Sequence, residues 1–169
     1  MIISPSVYKR TIMLVFILSM NTSIIFSQNG FVKARGWTVS FYFNTLNKIQ
    51  NGITYTNFTY FEAFNDGTHV NGPSWNLTVR ANATFINGLP LGVVEIWANI
   101  AAVNGTTTGW QRLDNTLTPV TLISNGAIGS NMAIDISYRV GDITNTVQMS
   151  GYPSDFYSVD LIFEMVFHP

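Results

Sequence analysis

Four segments of the chain alternate apolar and polar residues at every second position, which is the pattern of a β-strand with one buried face. They cover residues 37–43, 75–83, 132–140 and 157–167. Weaker strand patterns cover 53–64, 93–100 and 118–123, and the segment 93–100 is so apolar that we expect cover on both of its faces. A helix would need apolar residues three and four positions apart, so these segments predict an all-β fold.

Turn signals separate the predicted strands, because Asn and Gly both tolerate a positive φ. They are Asn51-Gly52, Asp66-Gly67, Asn71-Gly72, Asn87-Gly88, Asn104-Gly105 and Asn125-Gly126. No window outside the N-terminal segment has helical periodicity, and residues 44–50 are predicted to be a short polar connection. About seven or more strands with turns between them favour an antiparallel, Ig-like β-sandwich over residues 28–169. A closed barrel is the alternative.

The N-terminal segment has the pattern of a secretory signal peptide. Lys9 and Arg10 precede an apolar run that continues to Phe26 and ends at Ser27. We expect residues 1–27 to be removed, so that Gln28 begins a mature protein that is secreted, periplasmic or on the cell surface, without an integral membrane span. A retained anchor is the alternative, although polar residues 21–23 interrupt the run. The chain has no cysteine, which excludes a lipoprotein anchor and disulfides.

Low charge limits the kinds of partner. Only 10% of the residues are charged, compared with about 25% in average globular proteins, and the net charge is −1. Loss of residues 1–27 leaves six basic and nine acidic residues, hence a net charge of −3. No basic patch is available to bind nucleic acid, so nucleic acid is not an expected partner. Asn, Thr and Ser make the surface polar.

The sequence offers little catalytic chemistry. Its two histidines are His69 and His168, and the second is the penultimate residue. Asp66 and Ser74 flank His69, but no nucleophile-elbow pattern is present. Without cysteine, two distant histidines do not predict a zinc site. We therefore expect no metal, no cofactor and no enzymatic activity. A secreted hydrolase that uses a pair of carboxylates is the least favoured alternative.

Four residues are candidates for contacting a partner or ligand: Trp97, Trp110, Arg112 and Tyr157. Trp97 is out of phase with its apolar neighbours, which predicts exposure, and Trp110 lies in a polar loop beside Arg112. Exposed tryptophan stacks on sugar rings or anchors protein interfaces; the alternative is that Trp110 plugs its loop. Tyr157 begins the long terminal strand, which could pair at a sheet edge with a partner.

Three features carry a family resemblance. They are Trp75-Asn76-Leu77 inside an alternating strand, the segment 151–155, and the long terminal strand. The pattern resembles bacterial cell-surface β-sandwich domains of the WxL type and fimbrial or spore-coat-U-like pilin domains. The end of the signal and the Asn- and Thr-rich surface resemble exported proteins of the Bacteroidetes. The chain has a single Trp-x-Leu motif, and its terminal strand is complete, whereas pilins that assemble by strand donation lack one.

These features predict an exported, non-enzymatic structural or interaction protein of the bacterial cell surface. It would be a pilin-like adhesion subunit or an accessory component of an envelope or secretion assembly. Its partners would be other envelope or surface proteins, or further copies of itself. The alternative is a carbohydrate-binding module that uses exposed Trp or Tyr to bind a glycan.

Overall fold

Two antiparallel five-stranded sheets pack against each other, which confirms the predicted all-β sandwich. The computed structural model describes residues 30–35, 38–85, 88–100, 105–141, 149 and 151–169. Sheet I has the strand order β1-β3-β9-β5-β7, and sheet II has the order β2-β10-β4-β8-β6. The strands are β1 Gly30–Arg35, β2 Thr38–Tyr42, β3 Ile53–Asn65, β4 Ser74–Ala81, β5 Val94–Asn99, β6 Thr106–Thr107, β7 Gln111–Arg112, β8 Val120–Gly126, β9 Gly129–Val140 and β10 Phe156–His168.

Every connection between successive strands crosses from one sheet to the other. The odd-numbered strands form sheet I, and the even-numbered strands form sheet II. Asn71-Gly72 and Asn125-Gly126 therefore lie where the chain passes from one layer to the other, and neither closes a hairpin between paired neighbours. Asn125 shows why the residue type matters, since it adopts a φ of 54° at the end of β8.

The alternating segments place their apolar residues in one core, as predicted. On β4, Trp75, Leu77 and Val79 are fully buried, while the residues between them point outward. Burial of each such side chain contributes about 1.5–3 kcal/mol. The Trp75 Nε1–H donates to the carbonyl of Ala127 at 2.8 Å, so the ring is buried without an unpaired donor. In the alternating segment 37–43, Val39, Phe41 and Phe43 are likewise buried, whereas Trp37, predicted to lie on their face, is outside the described residues.

Terminal strand β10 lies inside sheet II. Phe156–Asp160 pairs with β2, and Leu161–His168 pairs with β4 on the opposite side. Inward-facing side chains are buried where β2 covers the strand, and they are only half-buried from Phe163 onward, where β2 has ended. The prediction of a terminal strand with its edge open to a partner is therefore wrong for the first part of β10, where β2 occupies that edge.

Among the described residues, one α-helix, the short 3-10 helix Leu91–Val93 and three strands were not predicted. Residues Leu46–Asn51 form α1, where a polar connection was expected. Thr45 caps it, because its Oγ1 accepts a hydrogen bond from the Lys48 backbone N–H at 3.3 Å. Six residues are too few to show helical periodicity. Strand β1 has no clear alternation, and strands β6 and β7 have two residues each.

The predicted signal peptide, residues 1–27, lies outside the described residues. Among the residues that are described, no helix is long and apolar enough to cross a membrane.

Candidate binding face on sheet I

Three of the four predicted contact residues come together on the outer face of sheet I. Trp97 lies on β5 between Ile96 and Ala98, whose side chains are buried on the opposite face. Trp110 lies in the connection between β6 and β7, and its ring centroid is 5.8 Å from that of Trp97, with the planes inclined at 48°. Arg112 follows on β7. We call Trp97 and Trp110 the Trp pair; both are half-buried.

Thr107, on the edge strand β6 of sheet II, holds Trp97 in place. The indole Nε1–H of Trp97 donates to the hydroxyl of Thr107 at 3.1 Å, and that hydroxyl donates to the carbonyl of Ala98 at 3.0 Å. The backbone N–H of Gly109 also donates to the Thr107 hydroxyl, at 3.3 Å. Gly109 has a φ of 75°, which is readily adopted by glycine. These bonds fix the Trp97 ring and the loop that carries Trp110.

Arg139 supports the other ring of the pair. The guanidinium carbon of Arg139, on β9, lies 4.3 Å from the centroid of the Trp110 ring. At this distance the positive charge is attracted to the negative face of the indole. Trp110 therefore packs over the sheet against Arg139 and Trp97 and is half-buried there.

Glu95 links both arginines beneath the aromatic rings. On β5 it lies opposite Arg112 of β7 and opposite Arg139 of β9. Its Oε1 accepts a hydrogen bond from Arg112 Nε at 3.1 Å, and its Oε2 accepts one from Arg139 Nε. Only 6% of Glu95 is exposed, so two guanidinium groups compensate a carboxylate that water does not reach. The prediction that residues 93–100 are covered on both faces therefore holds at Glu95, but not at Trp97 and Asn99, which are only half-buried on the outer face.

A second polar row lies on the other side of the Trp pair. Asn99 of β5 is directly opposite Asp135 of β9, two residues beyond the level of Trp97. Ser137, which lies opposite Trp97, is already engaged: its hydroxyl accepts a hydrogen bond from the backbone N–H of Asn57 at 2.9 Å. Asn57 lies in a bulge of β3 and has a φ of 49°. The outer face is therefore ordered across three strands.

Tyr157, the fourth predicted contact residue, is in the core. It has no exposed surface, and its hydroxyl donates to the carbonyl of Pro153 at 2.7 Å. Burial raises the pKa of this hydroxyl above its usual value. The side chain cannot reach a partner in the folded protein, because the odd-numbered residues of β10 face inward.

The residues around His69 form no catalytic triad. The imidazole of His69 stacks on Phe167 with 4.0 Å between ring centroids, and its Nδ1 accepts a hydrogen bond from the Asn71 backbone N–H at 3.1 Å. Asp66 accepts hydrogen bonds from the backbone and side chain of Thr68, which lower the pKa of the Asp66 carboxyl. Within the described ranges, no three His, Asp or Glu side chains are grouped closely enough to hold a metal ion.

Sequence reasoning missed Glu95 as the link and Arg139 as part of the face. Alternation along β5 and β9 already places both side chains outward. Their contact depends on strand register, and no pattern in the sequence gives that register. The Trp-x-Leu motif has a structural role here, since Trp75 and Leu77 are both fully buried.

No protein-family model matches this chain, and no curated protein matches it either.

Proposed function

We propose that this protein is an exported, non-enzymatic interaction protein of the bacterial cell surface, either a pilin-like subunit or an accessory component of an envelope or secretion assembly. The observation that carries the proposal is the Trp pair, fixed beside Arg139 on the outer face of sheet I. Export is supported by the signal-peptide pattern of residues 1–27.

The residue types of this face favour binding. Trp and Arg are enriched among the residues that contribute most to binding energy, because each combines a large contact area with a directed polar group. Trp97, Trp110 and Arg139 are held by contacts within the protein before any partner arrives. A face that is already ordered loses less side-chain entropy on binding, which leaves more of the contact energy as affinity.

The same contacts make the face poorly suited to acid–base catalysis. Both oxygens of Glu95 accept hydrogen bonds from guanidinium groups. With both oxygens engaged in this way, the carboxylate has no free oxygen with which to contact a substrate.

Photo-crosslinking in the native cells tests the proposal. A benzophenone side chain at Thr54, which is exposed on the outer face of sheet I opposite Arg139, should give a discrete adduct. The same probe at Thr38, exposed on sheet II, is the matched control and should give none. Trp110→Ala should abolish the Thr54 adduct. A second copy of this chain in the adduct would identify self-association. Equal adducts from both positions, or an adduct that survives Trp110→Ala, would contradict the proposal.

A further inference from the structure

The Trp pair places two aromatic rings, held by hydrogen bonds and ring contacts, on the outer face of sheet I. Both indoles are half-buried, so part of each ring remains accessible. The electron-rich face of an indole attracts the polarised C–H groups of a sugar for the same reason that it attracts a cation. Arg139 already demonstrates this attraction, at 4.3 Å from the centre of Trp110.

Hydrogen-bonding groups lie on both sides of these rings along β5. Asn99 lies on one side of Trp97, and on the other side the buried Glu95 holds Arg112, whose side chain is 42% exposed at the surface. Positions 95 and 99 are four residues apart along β5, which corresponds to about 14 Å. Arg112 and Asp135 extend the two polar rows onto the neighbouring strands. Guanidinium groups donate, carboxylates accept and amides do both. Sugar hydroxyls also donate and accept, so the mixture matches them over the length of a short oligosaccharide.

The charges around the Trp pair are balanced and include carboxylates as well as guanidinium groups. The rows contain two guanidinium groups, Arg112 and Arg139, and two carboxylates, Glu95 and Asp135. Arg is common at the centres of protein interfaces, whereas carboxylates are depleted there, because burial of a charge is costly unless the partner compensates it. A sugar leaves more water in contact with such groups. The equal number of opposite charges also matches a neutral ligand better than an anionic one.

We propose that the outer face of sheet I binds a neutral oligosaccharide, which stacks on the Trp pair and hydrogen-bonds to the polar rows on either side. This inference rests on the proposed function and names the class of its binding partner. Trp110 is the main stacking surface, Trp97 fixes its position, and Asn99 binds hydroxyls at one end of the site.

Calorimetric titration of the purified chain with cellohexaose, mannohexaose, xylohexaose and chitohexaose tests the inference. We expect at least one of the four to bind. Trp110→Ala should then weaken that binding about tenfold or more, and Trp110→Phe, which keeps a smaller ring, should weaken it less. Tyr42→Ala is the matched control, because Tyr42 is an aromatic side chain that is 51% exposed but lies on sheet II. The affinity of this variant for the sugar should equal that of the parent protein. Asn99→Ala should also weaken binding. Because it leaves both indoles in place, it provides a second test if the Trp110→Ala protein does not fold.

Two results would overturn the inference: none of the four sugars binds at millimolar concentration, or Trp110→Ala and Tyr42→Ala have equal effects. Failure of the proposed function gives a different result. If no sugar binds but the adduct from Thr54 contains a protein and depends on Trp110, the face is a protein-interaction site and only the carbohydrate inference fails. If the adduct is also independent of Trp110, both fail.

Discussion

Replacement of Glu95 by alanine tests whether the two arginines depend on one buried carboxylate. The two ion pairs are unequal, because the side chain of Arg139 is 19% exposed, whereas that of Arg112 is 42% exposed. Loss of one partner from a buried pair costs about 3–5 kcal/mol. An exposed pair contributes about 0–1 kcal/mol. Since Arg139 is mostly but not fully buried, we expect Glu95→Ala to lower the free energy of unfolding by about 3 kcal/mol.

The unequal burial also predicts the order of the single substitutions. Arg139→Ala should cost about 3 kcal/mol, because it leaves Glu95 under-compensated and removes the cation from Trp110. Arg112→Ala should cost about 1 kcal/mol or less, because water screens that pair. Glu95→Gln retains the volume and one acceptor, so it should cost less than Glu95→Ala.

Urea unfolding followed by circular dichroism measures these free energies, provided that the slope with urea concentration is unchanged. A double-mutant cycle between Glu95 and Arg139 isolates their coupling from other losses. The reasoning is refuted if Glu95→Ala costs under about 1 kcal/mol, or if Arg112→Ala costs as much as Arg139→Ala.

Three further predictions concern the packing of the core, the loss of stability at low pH and the N-terminus of the mature protein. Gly126→Ala should destabilise the fold by about 1–3 kcal/mol in urea unfolding, because a Cβ there would lie 2.2 Å from the ring of Trp75; an unchanged midpoint would contradict this packing. Asp114 accepts hydrogen bonds from the backbone and side chain of Thr116, which lower its pKa from the usual 3.8. The contribution of Asp114 to stability is therefore complete above the usual pKa of an aspartate and is lost as the pH falls through the pKa of the folded state. Asp114→Asn should flatten this part of the profile of unfolding free energy against pH. A profile identical to that of the parent protein would argue against the prediction. N-terminal sequencing of protein recovered from native cells should begin at Gln28, and an uncleaved N-terminus would favour the retained anchor.

The alternation of side chains between the two faces of a strand could be predicted from the sequence, because it is a local property of an extended backbone. Trp75, Leu77 and Val79 are apolar at every second position, and all three are buried in the core as expected. The same rule puts Tyr157 in the core, so its choice as a contact residue was inconsistent with the alternation of its own strand.

The local elements that were missed are short. Helix α1 depends on one cap at Thr45 and on Gly52, whose φ of 73° ends the helix. A helix of one or two turns is too short for apolar residues to recur at the helical spacing. Strands β6 and β7 have the same difficulty, and their two residues each are specified by pairing with longer strands.

The sequence by itself determined the seven longer alternating or apolar strands and which of their faces are apolar, including the outward position of Trp97, but not β1, β6 and β7. The tertiary structure decided which strands are neighbours, and with that the composition of the binding face. Arg112 is 17 residues from Glu95, and Arg139 is 44 residues from it. Their meeting depends on the order and register of β7, β5 and β9. Register is set by packing of the whole sandwich, since a shift of one residue would turn every side chain of a strand to the wrong face.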